Sequence, residues 1–347
     1  MKTITFISAA LVALSSTVFA QKAEEKPYMT KSFPAASVSS LEVQTSGGGI
    51  TVTGQGGEAR VEVYIKPNGW SNKEEALSKA EIEERLKKYN LEVKQEGGKI
   101  IATAKQKSNN WSDYKKGLSI GFRVFVPEKI TTDLSTSGGG ISLKNLNGKQ
   151  RFGTSGGGIS LYDVRGDIKG ETSGGGITFS NCADKIDLST SGGGIKASNS
   201  DGQIHLSTSG GGISLDNLSG KIDASTSGGG VNASGIKGEL ITSSSGGSIS
   251  VKDMDGSLSA STSGGGVSVS MKNMGKYLSL STTAGNVRVS MPLNIGMTLD
   301  IEGNKVTMPK MAKFDGTIEK DHVEGKMNGG GIPVKIEAVS GNITINE

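Results

Sequence analysis

A hexapeptide, Thr-Ser-Gly-Gly-Gly-Ile/Val, recurs along this chain at a constant interval, and that interval limits the possible folds more than any other feature. Its last residue falls at Ile141, Ile159, Ile177, Ile195, Ile213, Val231, Ile249 and Val267, eight copies in steps of 18 without insertion. The seventh copy is loosened to Ser244-Ser245-Gly246-Gly247-Ser248-Ile249, and a degenerate ninth, Thr282 to Val287, follows after 20 residues. One early copy, Thr45 to Ile50, stands alone upstream. A fixed period of this length is the signature of stacked supersecondary units.

Each repeat divides into two halves of nine residues that alternate apolar and polar, the pattern of half-buried strands, with Gly, Asn, Asp and Ser gathered where the chain must turn. A helix is excluded, because each glycine triplet would cost it about 3 kcal/mol. Counting the Ile/Val as position 0, the inward columns are 0, +2 (Leu143, Leu161, Phe179, Ala197, Leu215), +9 (mostly Ile or Leu from Ile168 onward) and +13 (Thr154, Thr172, Thr190 and their successors). Such columns predict an all-β parallel β-solenoid, rising about 4.8 Å per turn with like side chains stacked on like. The +4 column, Asn145, Asp163, Asn181, Asn199, Asn217, Gly235 and Asp253, precedes a turn and predicts a hydrogen-bonded Asn/Asp ladder.

The first twenty residues read as a secretory signal peptide. Lys2 supplies the positive start, Ile4 to Leu14 the apolar run and Val18-Phe19-Ala20 the cleavage site. No Cys adjoins that site to carry a lipid anchor, and no later apolar run is long enough to span a bilayer. The expectation is an exported protein: periplasmic, at the cell surface or extracellular. Charges are evenly spread along the chain, with 18 basic and 14 acidic side chains over residues 21–130 and 13 and 12 over 131–290. No segment carries the basic stripe that a nucleic acid or an anionic membrane would require. One cysteine precludes an internal disulfide.

The expected divisions are a signal peptide (1–20), an N-terminal strand-and-helix cap (21–130), the solenoid (131–290) and irregular closing coils (291–347). Within the cap, Val61–Ile65, Leu91–Val93, Ile100–Ala102 and Ile120–Val126 read as strands. Ser71-Asn72-Lys73-Glu74 reads as a capping box opening a helix to about Tyr89, with Ile82, Leu86 and Tyr89 on one face. After Met291 the period is lost, but Gly329-Gly330-Gly331-Ile332 and Ser340 to Ile345 retain repeat-like runs.

The order leader, strand-and-helix lead-in, Phe-Val-Pro-Glu-Lys-Ile (Phe125 to Ile130) and Thr-Ser-Gly-Gly-Gly-Ile array resembles the bacterial "putative-adhesin" family, exported β-strand-repeat proteins common in the Bacteroidetes. The resemblance implies a right-handed, single-stranded β-helix with a surface or adhesive role. It brings no catalytic motif.

Chemistry finds few footholds. The glycine triplets lack the Lys and following helix of a phosphate loop, and the Asp that would follow the glycines in a calcium-binding β-roll. His205 and His322 are isolated, without the converging ligands of a zinc site. Cys182 at +5 shares its column with Leu146, Val164, Leu218 and Ile236 and reads as a core thiol. Asp187 and Asp223 share the +10 column with His205 between them, the one arrangement suggestive of a polysaccharide-acting enzyme. Two turns separate those carboxylates by about 9.6 Å on a flat outward face, which speaks against it. Trp70, Trp111 and Tyr114 lie in polar, turn-rich contexts, where their rings either stack on a sugar or pack on the cap helix. No catalytic residue, metal or cofactor is therefore expected. The expected function is a non-enzymatic adhesin or structural element of the envelope, or a carbohydrate- or envelope-binding module using those three aromatics of the N-terminal cap. The expected partners are cell-surface glycans or other envelope proteins.

Overall fold

The computed structural model describes residues 26–68, 77–107, 117–310 and 313–347. Over the described residues the chain is all-β apart from one short helix and one 3-10 turn. Its N-terminal strands are β1 (Met29–Phe33), β2 (Ser40–Thr45), β3 (Ile50–Gly54) and β4 (Ala59–Pro67); helix α1 (Lys79–Leu86) follows, then β5 (Tyr89–Glu96), β6 (Lys99–Gln106) and β7 (Leu118–Val126). The repeats supply β8 (Thr131–Thr136), β9 (Ile141–Thr154), β10 (Ile159–Thr172), β11 (Ile177–Ser180), β12 (Ala183–Thr190), β13 (Ile195–Thr208) and β14 (Ile213–Thr226). They continue with β15 (Val231–Ser234), β16 (Lys237–Ser244), β17 (Ile249–Thr262), β18 (Val267–Thr282) and β19 (Val287–Ser290). The chain ends in β20 (Met297–Thr307), β21 (Phe314–Ile318), β22 (His322–Met327) and β23 (Ile332–Asn346).

From β9 to β17 each repeat pairs in parallel with the next in 18-residue register, Ile141 beside Ile159 beside Ile177 and Thr154 beside Thr172 beside Thr190. The inward columns are the core. Positions 0 and +2 are buried in every repeat, and +5, +9, +11 and +13 are buried from β9 to β18 with few interruptions. A single rung has no second layer to bury its apolar face, so the neighbouring rungs stabilise it.

Why the motif reads Thr-Ser-Gly-Gly-Gly follows from two contacts. The buried Thr172 Oγ1 donates to Gly157 O of the preceding rung at 2.7 Å and accepts from Gly175 N at 3.3 Å, and Thr190, Thr208 and Thr226 repeat both bonds. The middle glycine meets the backbone of the rung below. A Cβ on Gly175 would lie 2.1 Å from Gly157 O, and one on Gly211 2.3 Å from Gly193 O. None of these triplets has a left-handed φ. Glycine is needed there for close approach, not for conformational freedom.

The +4 column has a different cause from the expected ladder. Asn145, Asp163, Asn181, Asn199, Asn217 and Asp253 all adopt φ between 48° and 55°, and Gly235 joins them at 65°. Among the described residues, no hydrogen bond links one +4 side chain to the next. Asn and Asp stand here because they tolerate the left-handed region better than other residues with a Cβ. Position +7 is also left-handed, with Gly148, Gly166, Gly202, Gly220, Gly238 and Gly256, and with Asp184 at φ 80° as the exception.

The stack does not follow chain order at its two ends. β2 and β3 lie between β6–β7 on one side and β8–β9 on the other, so the early Thr45–Ile50 copy is in register with the first repeat: Ile50 pairs with Ile141. Antiparallel β5, β4 and β1 complete that end. At the other end the last strand, β23, inserts between β18–β19 and β20, followed by antiparallel β22 and β21. Ser340 to Ile343 is therefore a true rung turn over Thr283 to Val287. Gly329-Gly330-Gly331 is not, since all three have positive φ.

Residues Ser71 to Glu74 lie outside the described residues. The described helix starts later, capped by Ser78, whose Oγ accepts from Glu81 N while Ser78 N donates to Glu81 Oε2. It also ends earlier than expected, at Leu86. Tyr89 is not on the helix face but opens β5, buried, with its hydroxyl accepting from Leu118 N at 2.8 Å.

Candidate functional site

Strand segments +8 to +13 turn +9, +11 and +13 into the core, so +8, +10 and +12 point outward from every rung. Over β8, β9, β10, β12 and β13 the +10 and +12 side chains, with the serine before each glycine triplet, floor an open trough of about 750 Å³. Hydroxyls dominate the lining, and Asp133, Arg151, Lys169, Glu171 and Asp187 supply its charge.

The charges mostly neutralise one another between adjacent rungs. Arg151 Nη2 lies 2.6 Å from Asp167 Oδ2 while Nη1 donates to the Asp167 carbonyl, and this guanidinium holds the Asp167 carboxyl below the usual carboxylate range. Lys169 Nζ sits 3.7 Å from Asp187, His205 Nδ1 3.4 Å from Asp223 and Lys221 Nζ 3.5 Å from Glu239. Such cross-strand pairs are worth about 0.2–1 kcal/mol each and help hold register.

The structure places Asp187, His205 and Asp223 on three consecutive rungs, as their column requires, but divides them between two separate contacts. Asp187 faces Lys169 and His205 faces Asp223, so the two carboxylates share no common target. All three are substantially exposed. His322 lies 3.6 Å from Glu324. Cys182 is fully buried; burial pushes its thiol up to about 11, and Sγ points at Ser180 O, 3.4 Å away. A thiol so placed is not a nucleophile at neutral pH. Among the described residues no group of three or more His, Cys, Asp or Glu could hold a metal ion. No helix there is long and apolar enough to cross a membrane. Trp70, Trp111 and Tyr114 lie outside the described residues.

One cluster went unnoticed in the sequence. Tyr277 donates to Glu239 Oε1 at 2.8 Å from two rungs away, and burial, with the carboxylate second, pushes its phenol up to about 12. The 20-residue step between Val267 and Val287 was the available signal. The two extra residues break the register between Gly256 and Leu258 and re-aim Tyr277 along the stack.

The second outward face, positions +1 and +3, is built differently. Pairing places Arg123, Lys196 and Arg288 in one row running across eleven strands from β7 to β19, at its first, sixth and eleventh places. Every residue between them is Ser, Thr or Asn. In the neighbouring row Arg60 stacks on Phe125 at 4.0 Å and Lys144 on the exposed Tyr162 at 5.5 Å. Cation and ring attract through the ring quadrupole.

A solved structure described as "a putative cell adhesion protein from Clostridium sporogenes ATCC 15579" is similar over 92% of this chain and 99% of its own, at 14% identity and a TM-score of 0.20. No curated protein matches the chain. Residues 236–346, from the rung of β16 to the last strand, match the family described as Toastrack DUF4097, so this C-terminal part of the chain is similar to that family.

Proposed function

We propose that this protein is an exported, non-enzymatic β-solenoid serving as an adhesive or structural element of the cell envelope. The proposed form is a right-handed, single-stranded coil over residues 131–290, behind a cleaved leader (1–20) and an N-terminal strand-and-helix cap (21–130), and closed by residues 291–347. The observation that carries the reading is the arrangement of the outward faces. Flat ranks of hydroxyls extend over many rungs, and the two carboxylates around His205 face different partners, Asp187 toward Lys169 and Asp223 toward His205 itself. Such a surface suits extended contact with another surface better than the enclosure of a reacting group. Trp70, Trp111 and Tyr114 are assigned a glycan-contact role on their sequence context alone.

The test is to express the full chain with its leader, fractionate the cells, and compare attachment of cells with and without the protein to glycan-coated surfaces. Export with a loss of attachment on deletion is the expected result. Cleavage of a polysaccharide by the purified protein, abolished by Asp187→Ala, would overturn the non-enzymatic reading. Binding undiminished by Trp70→Ala and Trp111→Ala would remove those rings from it.

A further inference from the structure

Folding assembles a basic face that no stretch of the chain displays. Arg60, Arg123, Lys144, Lys196, Lys252 and Arg288 all lie on the +1/+3 face or its continuation over β4 and β7, against Glu62 and Asp216 as its acids. Glu62 is already engaged by Arg60 at 2.8 Å and by the Tyr64 hydroxyl at 2.9 Å. Arg123, Lys144, Lys196, Lys252 and Arg288 are exposed and make no ion pair among the described residues. The opposite face carries as many cations, of which Lys149 and Lys185 make no ion pair among the described residues, but sets them among Asp133, Asp167, Glu171, Asp187, Asp223 and Glu239, with Arg151, Lys169 and Lys221 each beside an acid.

The spacing is regular as well. Five strand steps separate Arg123 from Lys196 and five more separate Lys196 from Arg288, about 24 Å each time. The intervening hydroxyls and amides can both donate and accept hydrogen bonds. Phe125 and Tyr162, in the adjoining row, are three strand steps apart, and Tyr162 is 47% exposed.

We propose that this face binds a linear, carboxylated polysaccharide laid along the stack axis. The cations meet its carboxylates, the hydroxyl rows its ring hydroxyls, and Tyr162 packs against a sugar ring. The proposal rests on the adhesive reading and names its ligand class. A nucleic acid offers the same sign of charge, and single-stranded DNA is therefore the comparison that separates the two.

The test uses the purified full-length protein, with polygalacturonate as probe and neutral dextran and single-stranded DNA as comparisons, by titration calorimetry at low and high salt. A triple variant, Lys144→Ala, Lys196→Ala and Lys252→Ala, is set against Lys149→Ala, Lys185→Ala and Lys221→Ala, which removes equal charge from the opposite face. Polygalacturonate binding that weakens with salt, falls about tenfold in the first variant and stays within about twofold in the second is the expected result. Equal losses in both variants, no binding of polygalacturonate, or tighter binding of the DNA would each overturn the proposal. Because the measurement is made in solution, its failure is separate from a failure of cell attachment.

Discussion

Replacing the middle glycine of one central triplet isolates the contact that enforces the motif. In Gly211→Ala the new Cβ would lie 2.3 Å from Gly193 O and 2.4 Å from both Gly193 C and Gly194 N, all backbone atoms of the rung below. Ordinary van der Waals contact begins near 3.4 Å, so the two turns must part by about 1 Å. That opening breaks the bonds Thr208 Oγ1 to Gly193 O (2.7 Å) and Gly210 N to Ser191 O (2.9 Å). Two lost hydrogen bonds at about 1 kcal/mol each, with overpacking strain of about 1–3 kcal/mol, give a destabilisation of about 3–5 kcal/mol. The matched control is Gly212→Ala, whose Cβ would sit 3.1 Å from Gly230 O and needs only a few tenths of an ångström. The chain makes that kind of replacement itself at Ser248 and Asn286, and replaces a first glycine at Ala284, while the middle glycines Gly247 and Gly285 persist. Urea unfolding followed by far-UV circular dichroism measures both variants. A Gly211→Ala protein no less stable than Gly212→Ala would refute the close-approach argument.

Other expectations follow from individual contacts. A Cβ on Gly170 would fall 1.8 Å from the Phe152 ring, so Gly170→Leu alone should destabilise strongly, while adding Phe152→Leu should restore most of the loss. Stacked Leu188 and Leu206 show the geometry the pair would adopt, and a double-mutant cycle should return a coupling of about 2 kcal/mol or more. At left-handed Asn217, Asn217→Gly should stay within about 0.5 kcal/mol of the parent, whereas Asn217→Val should cost about 1–2 kcal/mol in urea unfolding. The phenol of Tyr277 is raised in the folded state, so its contribution to stability is complete below its unfolded pKa near 10 and is lost as pH rises toward about 12. Absorbance titration at 295 nm should show that late ionisation move down in Glu239→Gln. The Glu239 carboxyl is lowered by the same hydrogen bond, so its share is present above its unfolded pKa and lost as pH falls through the acid range.

The split between what sequence and structure each supply is visible residue by residue. Alternation with a constant 18-residue step forces Ile213, Leu215, Ile222 and Thr226 to face inward, because strand side chains reverse face at every residue and any slip would expose them all. Cys182 was legible as buried for the same reason. The cause of the Asn/Asp column was not legible, since a hydrogen-bonded ladder and a left-handed backbone select the same two residue types. Nor could composition separate Gly329-Gly330-Gly331 from the repeat triplets, since the two differ in φ and not in residue type. By itself the sequence determined the parallel rungs, their period and the identity of the core, because these depend on local periodicity. Only the tertiary structure decided that β2–β3 and β23 slot into the stack out of chain order, and that Arg123, Lys196 and Arg288 fall in one row. Those outcomes rest on pairings between distant segments, where the free energy comes from closing exposed strand edges and leaves no mark on the local pattern.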